Sequence, residues 1–112
     1  RGEAVMKVLL IRPGESPEVG DLNGYDEMHD YIGGCFETVN AYGYLIVCND
    51  AFLLNDSPYN VTIGGVQFFG NIFVCKVGVV NGEFDFVGLD DADIGSPEFA
   101  VHFLMCKGFF II

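Results

Sequence analysis

Apolar residues recur along this chain in short runs, and glycine, proline, asparagine and aspartate separate one run from the next. Residues Val5 to Ile11 are almost continuously apolar, which is typical of a strand buried on both faces. Pro13-Gly14 ends this run, and residues Glu18 to Leu22 fit a short second strand. The opening of the chain therefore predicts two strands.

One helix is predicted by the spacing of Tyr25, Met28 and Ile32, which form a single apolar stripe. Gly33-Gly34 follows this stripe, in the position of a left-handed helix C-cap. A phosphate-binding glycine loop would precede a helix instead, because phosphates bind at the positive N-terminal end of the helix dipole. We therefore expect a stop-turn, with Gly34 held in left-handed geometry.

Two hairpins are predicted further along the chain. In the first, two alternating stretches within residues 35–48 flank a turn at residues 40–43. In the second, Asn81-Gly82 is a strong two-residue turn signal that joins Val77–Val80 to Glu83–Val87. Both patterns indicate antiparallel strand pairs.

The stretch between the two hairpins is less regular. Asp50 is placed to cap a single helical turn through Leu54, and residues 55–65 have the composition of a loop. Residues 66–80 are strand-like, with a bulge expected near Gly70.

The C-terminal region predicts an acidic loop, a second helix and an apolar end. The acidic segment at residues 88–95 is expected to be a solvated loop. The helix has Ser96 as its N-cap and Pro97 at its first position, and it runs to about Cys106. Residues 109–112, FFII, are expected either to dock on the core or to form a homodimer contact.

The predicted fold class is α+β, a mostly antiparallel β-sheet of about five to seven strands with two helices packed on one face. With 112 residues, 51% of them hydrophobic, the chain is expected to form a single domain, residues 1–112. Residues 1–5 precede Met6 and are either a cloning remnant or a short extension. No apolar run approaches the roughly 20 residues of a membrane helix, so no membrane partner is expected.

The charge of the chain narrows its partners. Sixteen acidic side chains against five basic ones give a net charge of −11. Direct nucleic-acid binding is disfavoured, because that affinity comes mainly from Lys and Arg at phosphates. A protein with a basic surface is the expected partner. Acidity that serves only to keep a Phe-rich chain soluble is the competing interpretation.

Two acidic clusters are the candidate partner-binding residues. Such a surface can also imitate a DNA backbone and occupy a basic groove. The first acidic cluster consists of Asp21, Asp26, Glu27 and Asp30, and the second acidic cluster consists of Glu83, Asp85, Asp90, Asp91 and Asp93.

No catalytic set, metal site or cofactor is predicted, so we do not expect an enzyme. The acidic segment resembles half a calcium loop, but Ala92 and Ile94 occupy its third and fifth positions. His29 and His102 lie on predicted helices, outside any catalytic motif. The cysteines lack a C-x-x-C pair and lie in apolar runs, which predicts reduced, buried thiols and a cytoplasmic setting. They are Cys35, Cys48, Cys75 and Cys106.

A small-ligand site is the alternative function. Long irregular loops frequently carry binding residues, and the Ser57–Gly65 part of the predicted loop lies between the two hairpins. A nucleotide-like ligand would be bound or sequestered between this loop and nearby aromatic residues. The candidate ligand-binding residues are Tyr42, Tyr44, Tyr59 and Asn60.

The segments MKVLLIRPGESPEV, YIGGCFETV, YLIVCND and FDFVGLDD together resemble the domain of unknown function 3846 family. The resemblance covers roughly Met6 to Ile94 and brings no catalytic set with it. It implies an origin in phages, plasmids or other mobile elements of bacteria. Small acidic proteins in that setting often inhibit host defence by occupying a protein surface or sequestering a signalling nucleotide. The resemblance thus implies a host nucleic-acid-binding or defence protein as the partner.

Overall fold

A computed structural model describes residues 6–51 and 56–108 of the chain. The described residues form the strands β1 (Lys7–Ile11), β2 (Glu18–Asp21), β3 (Phe36–Ala41), β4 (Tyr44–Asn49), β5 (Tyr59–Ile63), β6 (Val66–Phe69), β7 (Ile72–Val80) and β8 (Glu83–Val87). They also form the helices α1 (Tyr25–Ile32), α2 (Asp91–Ile94) and α3 (Pro97–Phe99), which continues into a π-helical segment (Ala100–Leu104).

Six strands form one sheet in the order β2-β1-β7-β4-β3, with β8 also paired to β7. The first half of β7 pairs with β1 and β4, and its second half, Lys76–Val80, pairs with β8. β5 and β6 form a separate two-stranded sheet. Every pairing is antiparallel, which confirms the α+β class and the mostly antiparallel sheet.

Different helices cover the two faces of the main sheet. Met28 and Ile32 of α1 pack in one apolar cluster, with Val8, Val47 and Phe73 among the strand residues. The C-terminal helical segment packs in a second cluster, together with the β5–β6 hairpin, through Phe99 and Phe103.

The expectation that both helices lie on one face is therefore wrong. Strands β1, β4 and β7 are buried on both faces, and alternate residues along each strand belong to alternate clusters. A continuous apolar run requires cover on each face but does not say which helix supplies it.

The glycine pair after α1 is the predicted stop-turn, but the left-handed residue is Gly33 and not Gly34. Gly33 has φ of 87°, and its N–H donates to the carbonyl of His29 at 2.7 Å. Gly33 directly follows Ile32, the last residue of the helix. A left-handed C-cap forms at that position, one residue earlier than predicted.

Both predicted hairpins are present, and each has a tight turn of two residues. The turn residues have left-handed backbones, with φ of 54° at Tyr42, 83° at Gly43, 52° at Asn81 and 81° at Gly82. Positive φ at both central positions defines the type I′ turn, whose twist matches the flanking strands. The first turn is thus shorter than the predicted one at residues 40–43.

The predicted loop at residues 55–65 is wrong in its second half, because β5 and the turn into β6 lie there. Asn60 is buried in β5, and its Nδ2 donates to the carbonyls of Ile11 at 2.9 Å and Gly70 at 2.7 Å. A polar side chain therefore fills a strand position that an apolar pattern would not reveal.

Gly70, with φ of 75°, turns the chain from β6 into β7 and is not a bulge within one strand.

The C-terminal region is more helical than the sequence suggests. The predicted acidic loop contains α2, with Asp90 as its N-cap. The second helix begins as predicted, since the N–H of Phe99 donates to Ser96 Oγ and Pro97 occupies the first position. Beyond Phe99 the helix widens to π-helical geometry and ends at Leu104.

Three predictions fall partly or wholly outside the described residues. The cloning remnant or short extension comprises residues 1–5, the helical turn through Leu54 involves residues 52–55, and the apolar end comprises residues 109–112, so all three stay predictions. None of the helices in residues 6–51 and 56–108 combines the length and the apolar character that spanning a membrane requires.

Candidate interaction surface

Some acidic residues of the described chain form ion pairs, and others do not. Three basic side chains of the described chain pair with carboxylates. These pairs are Lys7–Asp91 at 3.3 Å, Arg12–Glu15 at 3.9 Å, Arg12–Glu18 at 3.1 Å, Lys76–Asp90 at 3.4 Å and Lys76–Asp93 at 2.8 Å.

The first acidic cluster lies on α1 and on the strand that leads into it. Asp26, Glu27 and Asp30 are exposed along the helix, and Asp21 is the exposed last residue of β2. None of the ion pairs among the described residues involves these four carboxylates. Glu27 does accept a hydrogen bond from the N–H of Asn23 at 2.9 Å. No cation of residues 6–51 and 56–108 therefore forms an ion pair with this cluster.

The second acidic cluster does not form one free surface. Asp90, Asp91 and Asp93 surround α2, where Lys7 and Lys76 pair with them. Glu83 and Asp85 lie apart on β8, and neither makes an ion pair with a described residue. Within the second acidic cluster, only Glu83 and Asp85 remain candidates for attracting a basic partner.

Asp93 is a structural link. Its Oδ2 accepts hydrogen bonds from Lys76 Nζ and from the N–H of Asp90, and its Oδ1 accepts one from the Tyr44 hydroxyl at 2.9 Å. Partial burial acts to raise the pKa of Asp93, but these hydrogen bonds outweigh it and hold the pKa at about 2. These bonds join α2 to strands β4 and β7 of the main sheet. Because the Asp93 side chain is only 15% exposed, it is poorly placed to bind a partner.

The hairpin arm (Lys76–Val87) extends past the ends of the neighbouring strands. The pairing of β7 with β1 ends at Val74, and its pairing with β4 ends at Cys75. Beyond these points β8 is the only described strand that pairs with β7. The arm is therefore a two-stranded layer with much of its surface open to solvent.

One face of the hairpin arm is apolar. The register pairs Val77 with Phe86 and Val79 with Phe84, so all four side chains lie on one face. Phe84 is 81% exposed, Val79 66% and Val77 52%. Phe86 is half-buried, with its ring centroid 6.4 Å from that of Phe73. The apolar face thus runs outward from the core edge at Phe86 to an uncovered end.

The opposite face of the hairpin arm carries both of its acidic residues, together with Val80 and with Lys76, which pairs with Asp90 and Asp93. Asp85 pairs with Gly78 and Glu83 with Val80, which places both carboxylates on that face. The three uncovered apolar residues were missed from the sequence, although a signal was present. Alternation of large apolar residues on both sides of Asn81-Gly82 gives a two-faced hairpin.

The four candidate ligand-binding residues lie against two different cavities. Tyr42 and Tyr44 line one of about 70 Å³, where the Tyr42 ring stacks on His102 with centroids 3.6 Å apart. Tyr59 and Asn60 line another of about 420 Å³. The structure therefore does not bring the four together in the single pocket that the sequence suggested, because β5 is an extended strand.

A further cavity of about 610 Å³ was not anticipated from the sequence. Three of its polar side chains already serve the fold. The Tyr31 hydroxyl donates to the carbonyl of Ile72 at 2.7 Å, and burial raises the pKa of Tyr31. Asn49 Nδ2 donates to the carbonyl of Ile32, and Asn71 Nδ2 donates to that of Tyr31. These groups hold α1 to the sheet.

All four cysteines are free thiols. Cys48 and Cys75 are buried as predicted, and burial raises their pKa values to about 11 and about 12, which disfavours reactive thiolates. Cys106 is only half-buried. Cys35 is exposed, so the expectation of burial is wrong there, because the residue lies in the turn before β3. Within residues 6–51 and 56–108, no three His, Cys, Asp or Glu side chains are grouped to hold a metal ion.

Comparison with known proteins identifies a family that this chain matches. The sequence model of a family described as "Domain of unknown function (DUF3846)" matches residues 6–103. No curated protein and no solved structure matches the chain significantly.

Proposed function

The chain belongs to the DUF3846 family, and from that premise we propose that it is a small acidic, non-enzymatic interaction protein that binds a partner protein with a basic surface. If the protein originates from a phage or mobile element, that partner would be a host protein, such as a nucleic-acid-binding or defence component. Binding would then inhibit the host protein. The protein would act in the cytoplasm, without a cofactor and without contacting nucleic acid directly, and a homodimer is compatible with this role.

The unpaired first acidic cluster is the observation that carries this proposal. The cations Lys7, Arg12 and Lys76 pair with carboxylates elsewhere, while all four members of the cluster are exposed and make no ion pair with a described residue. Neighbouring like charges repel one another, and a basic partner relieves that repulsion while it gains attraction. Such a surface favours rapid, salt-sensitive association with a cationic protein.

A pull-down from bacterial lysate tests the proposal with two matched variants. The variant Asp26→Asn/Glu27→Gln/Asp30→Asn removes three charges from the first acidic cluster. The control Glu15→Gln/Glu37→Gln/Glu98→Gln removes three exposed charges elsewhere, so both variants have the same net charge.

We expect the wild type and the control to retain a basic protein at low salt and to release it at high salt, and the cluster variant to lose it. Circular dichroism checks that each variant is folded. Equal retention by all three proteins would contradict a role for the cluster. Salt-independent capture would contradict the electrostatic basis of the proposal.

A second candidate, small-ligand binding, is favoured by one observation at Asn60. Its Oδ1 is buried and has no hydrogen-bond partner among the described residues, although Nδ2 makes two bonds. An unpaired buried acceptor costs on the order of 1–3 kcal/mol, which a bound donor would recover. Native mass spectrometry of the protein as isolated from cells tests this idea. A mass that equals the polypeptide alone would count against it.

A further inference from the structure

We propose that the hairpin arm binds an extended segment of the partner protein in which apolar and basic residues alternate, and that this segment pairs as a strand with the open edge of β7 at Val77–Val80. This inference rests on the proposed function, because it identifies the part of a basic partner that the protein would recognise. Strand addition to an exposed edge is a common mode of peptide recognition.

One edge of β7 in the hairpin arm has backbone groups that pair with no strand among residues 6–51 and 56–108. Val80 and Glu83 flank the two-residue turn, so they form the hydrogen-bonded pair next to it. Alternation along the strand then directs the N–H and C=O groups of Val77 and Val79 away from β8. No described strand lies along that edge, because the pairing with β4 ends at Cys75.

The other edge of the hairpin arm is partly blocked by its own side chain. The N–H of Phe86 faces outward from β8 and donates to Asp85 Oδ1 at 2.7 Å. An incoming strand would have to displace this bond and approach a carboxylate at close range. The two edges therefore differ, and β7 offers the more accessible one.

The two faces of the hairpin arm specify the side chains of an added strand. Its residues on one face would extend the apolar surface of Val77, Val79 and Phe84, so apolar side chains fit there. Its alternate residues would lie on the face of Glu83 and Asp85, where long Lys or Arg side chains can extend across Gly78 towards these carboxylates on β8. The strand that fits best therefore alternates apolar and basic residues.

A second copy of this protein fits the open edge less well. Phe84, Val79 and Val77 together expose on the order of 400 Å², about half of what one partner buries in a stable interface. Each copy also carries a net charge of −11. Pairing two arms along β7 would add the Glu83 and Asp85 carboxylates of a second copy to the same sheet without supplying a cation, whereas a basic strand supplies one.

A synthetic peptide of alternating valine and lysine is the probe, and amide hydrogen exchange measured by NMR on the intact protein is the readout. We expect the peptide to slow the exchange of the Val77 and Val79 amides by about tenfold or more. The same peptide with alternate backbone nitrogens methylated keeps its charge but cannot pair fully as a strand, so it should give no such protection.

Two variants with the same change in net charge locate the site on the chain. Val79→Lys places a positive charge on the hairpin arm, and Val101→Lys places one at a similarly exposed position, 59%, on the π-helical segment. We expect Val79→Lys to weaken peptide binding by about tenfold and Val101→Lys to leave it within about twofold, since repulsion decays over about a Debye length.

The outcomes separate this inference from the proposed function. If the peptide binds in a salt-sensitive way but the Val77 and Val79 amides stay unprotected, strand addition is overturned and basic-partner binding stands. If no basic protein and no basic peptide binds, the proposed function fails. Protection of the same amides that rises with protein concentration, without peptide, identifies a second copy as the occupant and also overturns the inference.

Discussion

At the scale of single residues, Gly33 shows how one backbone angle fixes the end of a helix. Its φ of 87° is accessible to glycine at no steric cost, and asparagine tolerates this region better than alanine does. We expect Gly33→Ala to lower the free energy of unfolding by about 1–2 kcal/mol and Gly33→Asn to lower it by clearly less. Urea denaturation measures both losses, and equal losses would mean that the left-handed geometry is not their cause.

Protonation of Asp93 at low pH should destabilise the folded protein. Its pKa in the folded protein, about 2, lies below the ordinary value of 3.8, so ionisation favours the folded state. The resulting stabilisation is fully present above pH 4 and is lost as the pH falls through about 2. It contributes about 1–2 kcal/mol, allowing for solvent screening.

Replacement by asparagine tests this linkage. We expect Asp93→Asn to lower the free energy of unfolding at pH 7 and to flatten its dependence on pH between about 4 and 2. Denaturant unfolding at several pH values measures both effects. If the variant and the wild type lose stability in parallel over this range, the hydrogen bonds from Lys76 and Tyr44 do not hold the carboxylate ionised.

At the scale of elements, the hairpin arm separates residues that stabilise the fold from residues available for binding. Phe84 and Phe86 lie on the same face of β8, but Phe84 is uncovered and Phe86 packs near Phe36 and Phe73. We expect Phe86→Ala to cost about 2–3 kcal/mol and Phe84→Ala less than about 1 kcal/mol, by thermal or urea unfolding. A large loss from Phe84→Ala would show that its ring is covered in solution.

Local signals predicted some elements and missed others for identifiable reasons. α1 and both hairpins follow from residues close in sequence, namely the Met28–Ile32 spacing and the Asn81-Gly82 turn. β5 was missed because its buried Asn60 is held through Nδ2 by the carbonyls of Ile11 and Gly70, which lie outside the strand. The face on which each helix packs was likewise decided by tertiary contacts.

The candidate interaction surface was also predicted only in part from the sequence. Local sequence identified the acidic residues of α1, which remain unpaired. It could not show that Lys7 and Lys76 pair with carboxylates around α2, because Lys7 lies 84 residues from Asp91. The uncovered face of the hairpin arm also required knowledge of where β4 ends, a property of the sheet as a whole.

At the scale of the whole molecule, the net charge of −11 should limit stability at low ionic strength. Asp21 and Asp30 are exposed and make no ion pair with a described residue, and Asp30 lies near the negative end of the α1 dipole, where a carboxylate is disfavoured. Glu15 and Glu18, in contrast, both pair with Arg12. Removing either pair of acids changes the net charge equally, but only the first removal relieves repulsion without losing attraction.

We therefore expect Asp21→Asn/Asp30→Asn to raise the free energy of unfolding by about 0.5–1 kcal/mol at low salt, and Glu15→Gln/Glu18→Gln to give no gain. Sodium chloride should stabilise the wild type, because the Debye length falls from about 30 Å at 0.01 M to about 3 Å at 1 M. The first variant should gain less from salt than the wild type does. Urea unfolding at both salt concentrations measures these differences. Destabilisation of the wild type by salt would mean that the ion pairs of Lys7, Arg12 and Lys76 outweigh the repulsion among the unpaired carboxylates, and relief of that repulsion would then not favour the binding of a basic partner.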